Sequence, residues 1–183
     1  AYLLKSRLLD RDIVSHFAGE KLIYESCERM KNKAGEMREY HNAVFVGLDE
    51  NGIARHAHKR SLYTDSSYKL NMDSSDPAYS FHHTGDSGRL YVFEAPIDLL
   101  SFLTLSPKDW QRHSYVTLCG VWEHAALTML ELNPHLREIA LCLDHDEAGI
   151  EAAGRLTEIP PAKGHEQAVP LSPARTHWHE GVQ

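Results

Sequence analysis

Leu90-Tyr91-Val92-Phe93-Glu94-Ala95-Pro96-Ile97-Asp98 is the stretch on which the fold turns. Four apolar residues in a row, with no alternation, suit a strand buried on both faces. Glu94 would then stand at the strand's carboxyl end. Pro96 fits the first turn of a helix, where its missing N–H is not needed. Ile97, Leu99, Leu100, Phe102 and Leu103 give that helix an apolar face. The same grammar recurs downstream. Tyr115-Val116-Thr117-Leu118-Cys119 reads as a second strand, ended by Gly120, with a helix over 122–132. Ile139-Ala140-Leu141-Cys142-Leu143 reads as a third strand, ended by Asp144-His145-Asp146, with a helix from Glu147 to Leu156. Strand and helix alternating three times predicts an α/β fold, a parallel sheet flanked by helices with right-handed crossovers.

Upstream of Arg89 the pattern is mixed and predicts a small α+β domain over 1–88. Asp10 is placed to cap a helix carrying Ile13, Val14 and Phe17 and ending at Gly19. Leu22-Ile23-Tyr24 suits a short strand, and the polar residues 27–41 read as a loop. Ala43 to Leu48, the turn Asp49-Glu50-Asn51-Gly52 and the return from Ile53 to Arg60 are a hairpin signal. Residues 64–77, rich in Ser and Asp, read as a surface loop, and Tyr79-Ser80-Phe81 as a further short strand. Downstream, the parallel-sheet domain is expected over 89–160. Residues 161–183 read as an irregular extension with one short strand near Val169. The chain opens inside what reads as a helix, so other domains of a longer protein are expected.

The chain has 183 residues, 42% of them hydrophobic, enough for a packed core. No apolar run approaches the roughly 18 residues a membrane span needs, and no signal peptide is visible, so a cytoplasmic protein is expected. Cys27, Cys119 and Cys142 are an odd number without ligand spacing, which fits a reducing compartment. The formal net charge is -7. A chain that grips nucleic acid by bulk electrostatics is usually basic, so divalent cations or another domain must offset the acids if DNA is the substrate.

Sites in open parallel sheets form at the carboxyl ends of the strands. Glu94, Gly120 and the pair Asp144 and Asp146 all fall there. Converging carboxylates repel and raise one another's pKa unless a cation intervenes. Hard oxygen donors without thiolates point to Mg²⁺ or Mn²⁺. The competing reading is local: Asp144 or Asp146 caps the third helix, and Glu147 favours its positive end. Glu after strand one, Gly after strand two and Asp-x-Asp after strand three are together more specific than any part.

That order resembles the Toprim domain of primases, topoisomerases and related nucleases. The primase-like branch is the nearest, on residues 90–98 and on Asp144-His145-Asp146-Glu147-Ala148-Gly149. The resemblance covers roughly 89–157. It implies a Rossmann-like Toprim sheet and nucleotidyl or phosphoryl transfer on DNA, primase-like or nicking, in a replication or mobile-element protein. It implies Asp144 and Asp146 as ligands of Mg²⁺ or Mn²⁺, Glu94 as acid/base or ligand, and Asp98 as support. Gly120 would allow close approach of substrate. Partners implied are DNA, with RNA primer or nucleotides, and other replication or conjugation proteins. Tyr2-Leu3-Leu4, the hairpin of 42–52 and Lys59-Arg60 resemble a domain of uncharacterised function often fused ahead of Toprim in bacterial mobile-element proteins. Two departures stand out. Ala95-Pro96 replaces the Gly that follows the primase Glu. Thr176-His177-Trp178-His179-Glu180 offers His177 where an Asp is expected. The net charge and His177 favour the alternative, a non-enzymatic DNA-binding or scaffold module with a degenerate site.

Lys59 and Arg60 on the hairpin are candidates for phosphate contacts, although edge strands carry such residues to block pairing. Tyr63, Tyr68, Phe81 and Trp122 could stack on bases or simply pack. Thirteen histidines are many for this length. His56 and His58 share a strand face, but no spacing supports a zinc site.

Overall fold

The computed structural model describes residues 2–63, 66–120, 123–144, 146–157 and 168–171. A π-helical turn (Tyr2–Ser6) leads into α1 (Arg11–Gly19), β1 (Ile23–Lys31), β2 (Met37–Leu48), β3 (Ala54–Ser61), β4 (Lys69–Asn71) and β5 (His82–His83). Then come β6 (Arg89–Phe93), α2 (Pro96–Leu105), β7 (Ser114–Thr117), α3 (His124–Leu132), β8 (Glu138–Cys142), α4 (Glu147–Thr157) and β9 (Val169–Pro170). β1 to β4 form an antiparallel sheet in sequence order. The second sheet has the order β5-β7-β6-β8-β9. In it β7, β6, β8 and β9 run parallel, and β5 joins β7 antiparallel at the edge.

The unalternating strands are explained by two cores. On β6, Tyr91 and Phe93 enter one hydrophobic cluster while Leu90 and Val92 enter another, as a period of two requires. The second cluster holds Ala125 and Met129 of α3 and Ala152 and Leu156 of α4. The first joins Leu99, Leu100 and Leu103 of α2 to Phe17 of α1 and Phe45 of β2, so it is common to both sheets. Phe17 lies 5.5 Å from Trp110, and Phe81 lies 5.1 Å from Phe17 and 5.6 Å from Phe45 between ring centroids. The Asp10 carboxylate accepts from the amides of Asp12 and Ile13 and caps α1, as expected.

Three local expectations are corrected. Residues 27–41 are not a loop: β1 and β2 pair from Ile23↔Phe45 out to Lys31↔Met37. Polar strands hold together there through cross-strand pairs. The Arg29 guanidinium meets Glu39 at 2.9 Å, and His41 meets Glu25 at 2.7 Å. The turn is tied by Asn32 Oδ1, which accepts from the amides of Ala34 and Glu36. Within 64–77, β4 pairs with β3 instead of lying in a loop. Pro77–Tyr79 is a 3-10 turn capped by Asp76, so the strand expected at 79–81 falls at β5. Among the described residues no helix is long and apolar enough to cross a membrane.

Candidate active site

Parallel β6 and β8 deliver Glu94 and Asp144 to the same sheet edge, one and two residues beyond their last paired positions. The ladder between β6 and β7 continues past the strands. Leu118 N donates to Phe93 O and Cys119 N to Glu94 O, both at 2.9 Å. Glu94 is half-buried and Asp98, in the first turn of α2, is buried. The Glu94 carboxyl is raised above its ordinary pKa. Burial is the main cause, followed by the charge of Asp144, with smaller contributions from Asp98 and Asp146. Lys69 acts in the opposite sense and lowers it. The four acids therefore share one electrostatic neighbourhood.

They share it without collapsing into it. Among the described residues, the one group of three His, Cys, Asp or Glu ligand atoms within 4.8 Å of one another is Cys27, Glu39 and His41. Glu94, Asp144 and Asp146 stand further apart, as like charges at one edge do. The donor set is all carboxylate oxygen, and the pKa of Glu94 is raised by burial first and by its acidic neighbours second. A hard divalent cation fits that set, because it relieves both the repulsion and the burial of charge.

Asp146 has a second task. Its Oδ1 accepts from Gly149 N at 2.8 Å, and its carbonyl accepts from Ile150 N at 3.0 Å, so it caps α4. The capping reading of the Asp-x-Asp pair thus holds for Asp146, alongside its place at the acidic edge. Gly149 has its own reason. A Cβ there would lie 2.0 Å from Asp144 O and 2.9 Å from Asp144 C. The helix can start this close to the strand end because that position carries no side chain. Gly149→Ala is expected to cost about 1–3 kcal/mol through overpacking. That lowers Tm by about 2–4 °C per kcal/mol in a chain of this size. A melt superimposable on that of the parent protein would show that the contact is not tight.

Gly120 follows Cys119, which adopts φ 48°, a left-handed conformation uncommon for a residue with a Cβ. The turn is held from the other sheet. Asn71 Nδ2 donates to Cys119 O at 2.9 Å, and Asn71 Oδ1 lies 2.7 Å from His58 Nδ1. Since the Asn71 amide nitrogen is donating, its oxygen accepts, and the His58 Nδ1 carries the proton. Burial lowers the pKa of His58.

The hairpin cations divide. Lys59 is buried and its ammonium pairs with Glu28. Arg60 is half-buried, beside Lys69 in the β3–β4 register. Lys69, exposed on β4, is the cation that acts on Glu94, and reading by motif missed it. The available signal was slight: Lys69 is the only cation within 64–77. Phe81 is fully buried, whereas Tyr63 and Tyr68 are exposed. His56 and His58 are buried. Trp122, His145 and His177 lie outside the described residues.

Residues 91–181 match the family described as Toprim-like, and residues 1–87 match a family described as a protein of unknown function, DUF3991. No curated protein matches the chain. Among solved structures, the chain is similar to the primase fragment of the bacteriophage T7 primase-helicase protein. The TM-score is 0.69 at 16% identity, over 97% of this chain and 67% of that one. It is similar to the DnaG catalytic core, with a TM-score of 0.63 at 19% identity over 98% and 66%. It is also similar to a DnaG primase catalytic domain bound to ssDNA, with a TM-score of 0.59 at 16% identity over 98% and 67%. Likeness at such identities is likeness of fold. Together with the family matches, it makes this chain a Toprim-domain protein with a primase-like fold, its Toprim-like part preceded by a DUF3991 region.

Proposed function

We propose that the chain carries out Mg²⁺- or Mn²⁺-dependent nucleotidyl transfer on DNA, in the manner of a primase. The observation that carries this reading is the acidic edge: Glu94 raised in pKa among Asp98, Asp144 and Asp146, with Lys69 facing it. Asp144, Asp146 and Glu94 are the residues that would hold the cation, with Asp98 behind them. Bound there, it would supply charge neutralisation for a phosphoryl oxygen and its leaving group. Glu94, whose raised pKa makes its carboxylate a stronger base, is suited to take a proton from an attacking hydroxyl and release it. Lys69 and Arg60 present positive charge to the phosphate chain of DNA or a nucleotide. The similar primase bound to ssDNA fits a single-stranded template. Residues 1–88 contribute the charge of Lys69 on β4.

A second reading has one observation in its favour. Asp146 spends Oδ1 on capping α4, as it would in a non-enzymatic module that keeps the fold. One experiment separates the two. The chain is incubated with labelled single- and double-stranded DNA, with and without nucleotides, in Mg²⁺ or Mn²⁺, alongside calorimetric titration of each ion. The expected result is cation binding at the acidic edge and metal-dependent extension of a primer or dinucleotide. Nicking without added nucleotides would place the chemistry in hydrolysis instead. Absence of both ion binding and product would remove the enzymatic reading.

A further inference from the structure

A cluster of Cys, His and Glu side chains lies on the antiparallel sheet, far in sequence from the acidic edge. β1 and β2 place Cys27 directly opposite His41, with Glu25 and Glu39 on the same strand face by period two. Cys27 Sγ lies 3.7 Å from His41 Nε2, and Glu39 Oε2 lies 4.0 Å from that same nitrogen. All three ligand atoms fall within 4.8 Å of one another. Around a tetrahedral Zn²⁺, bond lengths of about 2.3 Å to sulfur and 2.0–2.1 Å to nitrogen or oxygen put such atoms about 3.3–3.6 Å apart. A small closure of the side chains reaches that spacing.

The atoms not used for ligation are already held. His41 Nδ1 lies 2.7 Å from Glu25 Oε1. An ionised carboxylate only accepts, so Nδ1 carries the proton and the Nε2 lone pair faces Cys27 and Glu39. A carboxylate behind a ligating histidine is the arrangement that fixes its tautomer and raises its basicity. Glu39 Oε1 accepts from the Arg29 guanidinium at 2.9 Å, which leaves Oε2 for the ion. Charge closes as well: the Cys27 thiolate and Glu39 offset a divalent cation, and Glu25 offsets Arg29. Sulfur and imidazole select a zinc-class ion over Mg²⁺.

We propose that Cys27 Sγ, His41 Nε2 and Glu39 Oε2 bind one Zn²⁺-class ion, its fourth position open to water. The position in the fold gives the site a task. β3 accompanies β2 in register only as far as Asn42↔Ser61, with Leu62 N donating to His41 O just beyond, so the ribbon past that point is two-stranded. A two-stranded ribbon is marginal in water by itself. The ion pins this one at its base. Binding releases the Cys27 thiol proton.

The test is titration of the reduced full chain with Co²⁺, followed by thiolate-to-cobalt charge-transfer absorption, with Zn²⁺ as competitor. One equivalent of Co²⁺ should give the band, and Zn²⁺ should abolish it. Cys27→Ser should remove the band. Glu25→Ala, which leaves all three ligands in place, should weaken affinity by about 10–100-fold. Asp144→Asn should leave the titration unchanged, so failure at the acidic edge does not count against this site. All four side chains are at or near the surface, and circular dichroism checks that each variant folds. No band with the parent protein, or equal Co²⁺ and Zn²⁺ affinity in Cys27→Ser, overturns the proposal.

Discussion

Glu94→Gln is expected to lower metal-dependent product formation by about 10²–10⁴-fold, the range for losing a positioned acid/base group. It should leave the Tm unchanged or slightly higher. The sign follows from the raised pKa. A folded-state pKa above the unfolded value means that the folded protein takes up this proton first. The stability from that proton is fully present below the unfolded pKa and is lost as pH rises through the folded one. At neutral pH the ionised Glu94 is therefore a burden on the fold, and Gln removes it. Asp144→Asn should likewise abolish Mg²⁺ binding while folding is retained. The measurements are primer extension and thermal melting, each with and without Mg²⁺. A variant that melts well below the parent protein would mark Glu94 as a structural acid, because deleting such a group strands its hydrogen-bond partners.

Removal of residues 1–88 should leave the remainder unfolded, even though the two family matches meet between 87 and 91. The segment supplies the edge strand β5 to the second sheet, and Phe81 O accepts from both the amide and the hydroxyl of Thr117. It also covers one face of the shared core. Phe93, Leu99, Leu100, Leu103 and Tyr115 are all essentially without solvent contact in that cluster. Uncovering Phe93 and the three leucines, at about 1.5–3 kcal/mol each, costs about 6–12 kcal/mol. That is comparable with the whole folding free energy of a typical domain, about 5–15 kcal/mol. Circular dichroism and limited proteolysis of residues 89–183 test the point. A cooperative melt from that piece would show that the shared core is dispensable.

The parallel sheet was legible because its strands are buried on both faces. Tyr91 and Phe93 are as apolar as Leu90 and Val92, and the acids fall where the apolar runs stop. The helices followed from Pro96 and from helical spacing. The ribbon of β1 and β2 was not legible. Its residues beyond Ser26 are mostly polar, and what pairs them is Arg29 with Glu39 and His41 with Glu25, contacts fixed by register across a turn. The same blindness hid the grouping of Cys27, Glu39 and His41, whose sequence spacing carries no ligand pattern. Lys69 was missed for a related reason. A three-residue strand has no periodicity of its own, and its role comes from docking β4 beside the turn at Cys119. Lys59, the cation singled out by position, is taken up by Glu28 across the sheet.

The start of α4 bears on the thermodynamics of ion capture. The backbone of Asp144 is packed against Gly149, and Asp146 is tied to the amide of that same glycine. Asp144 and Asp146 are thus each held by contacts with the start of α4. A cation arriving there need not recruit a wandering loop, so little conformational entropy is lost on association. Its affinity is then set by charge, dehydration and the small adjustments of four carboxylates. Selectivity among hard divalent ions rests on how closely those carboxylates can draw in, since the backbone that carries two of them is already in place.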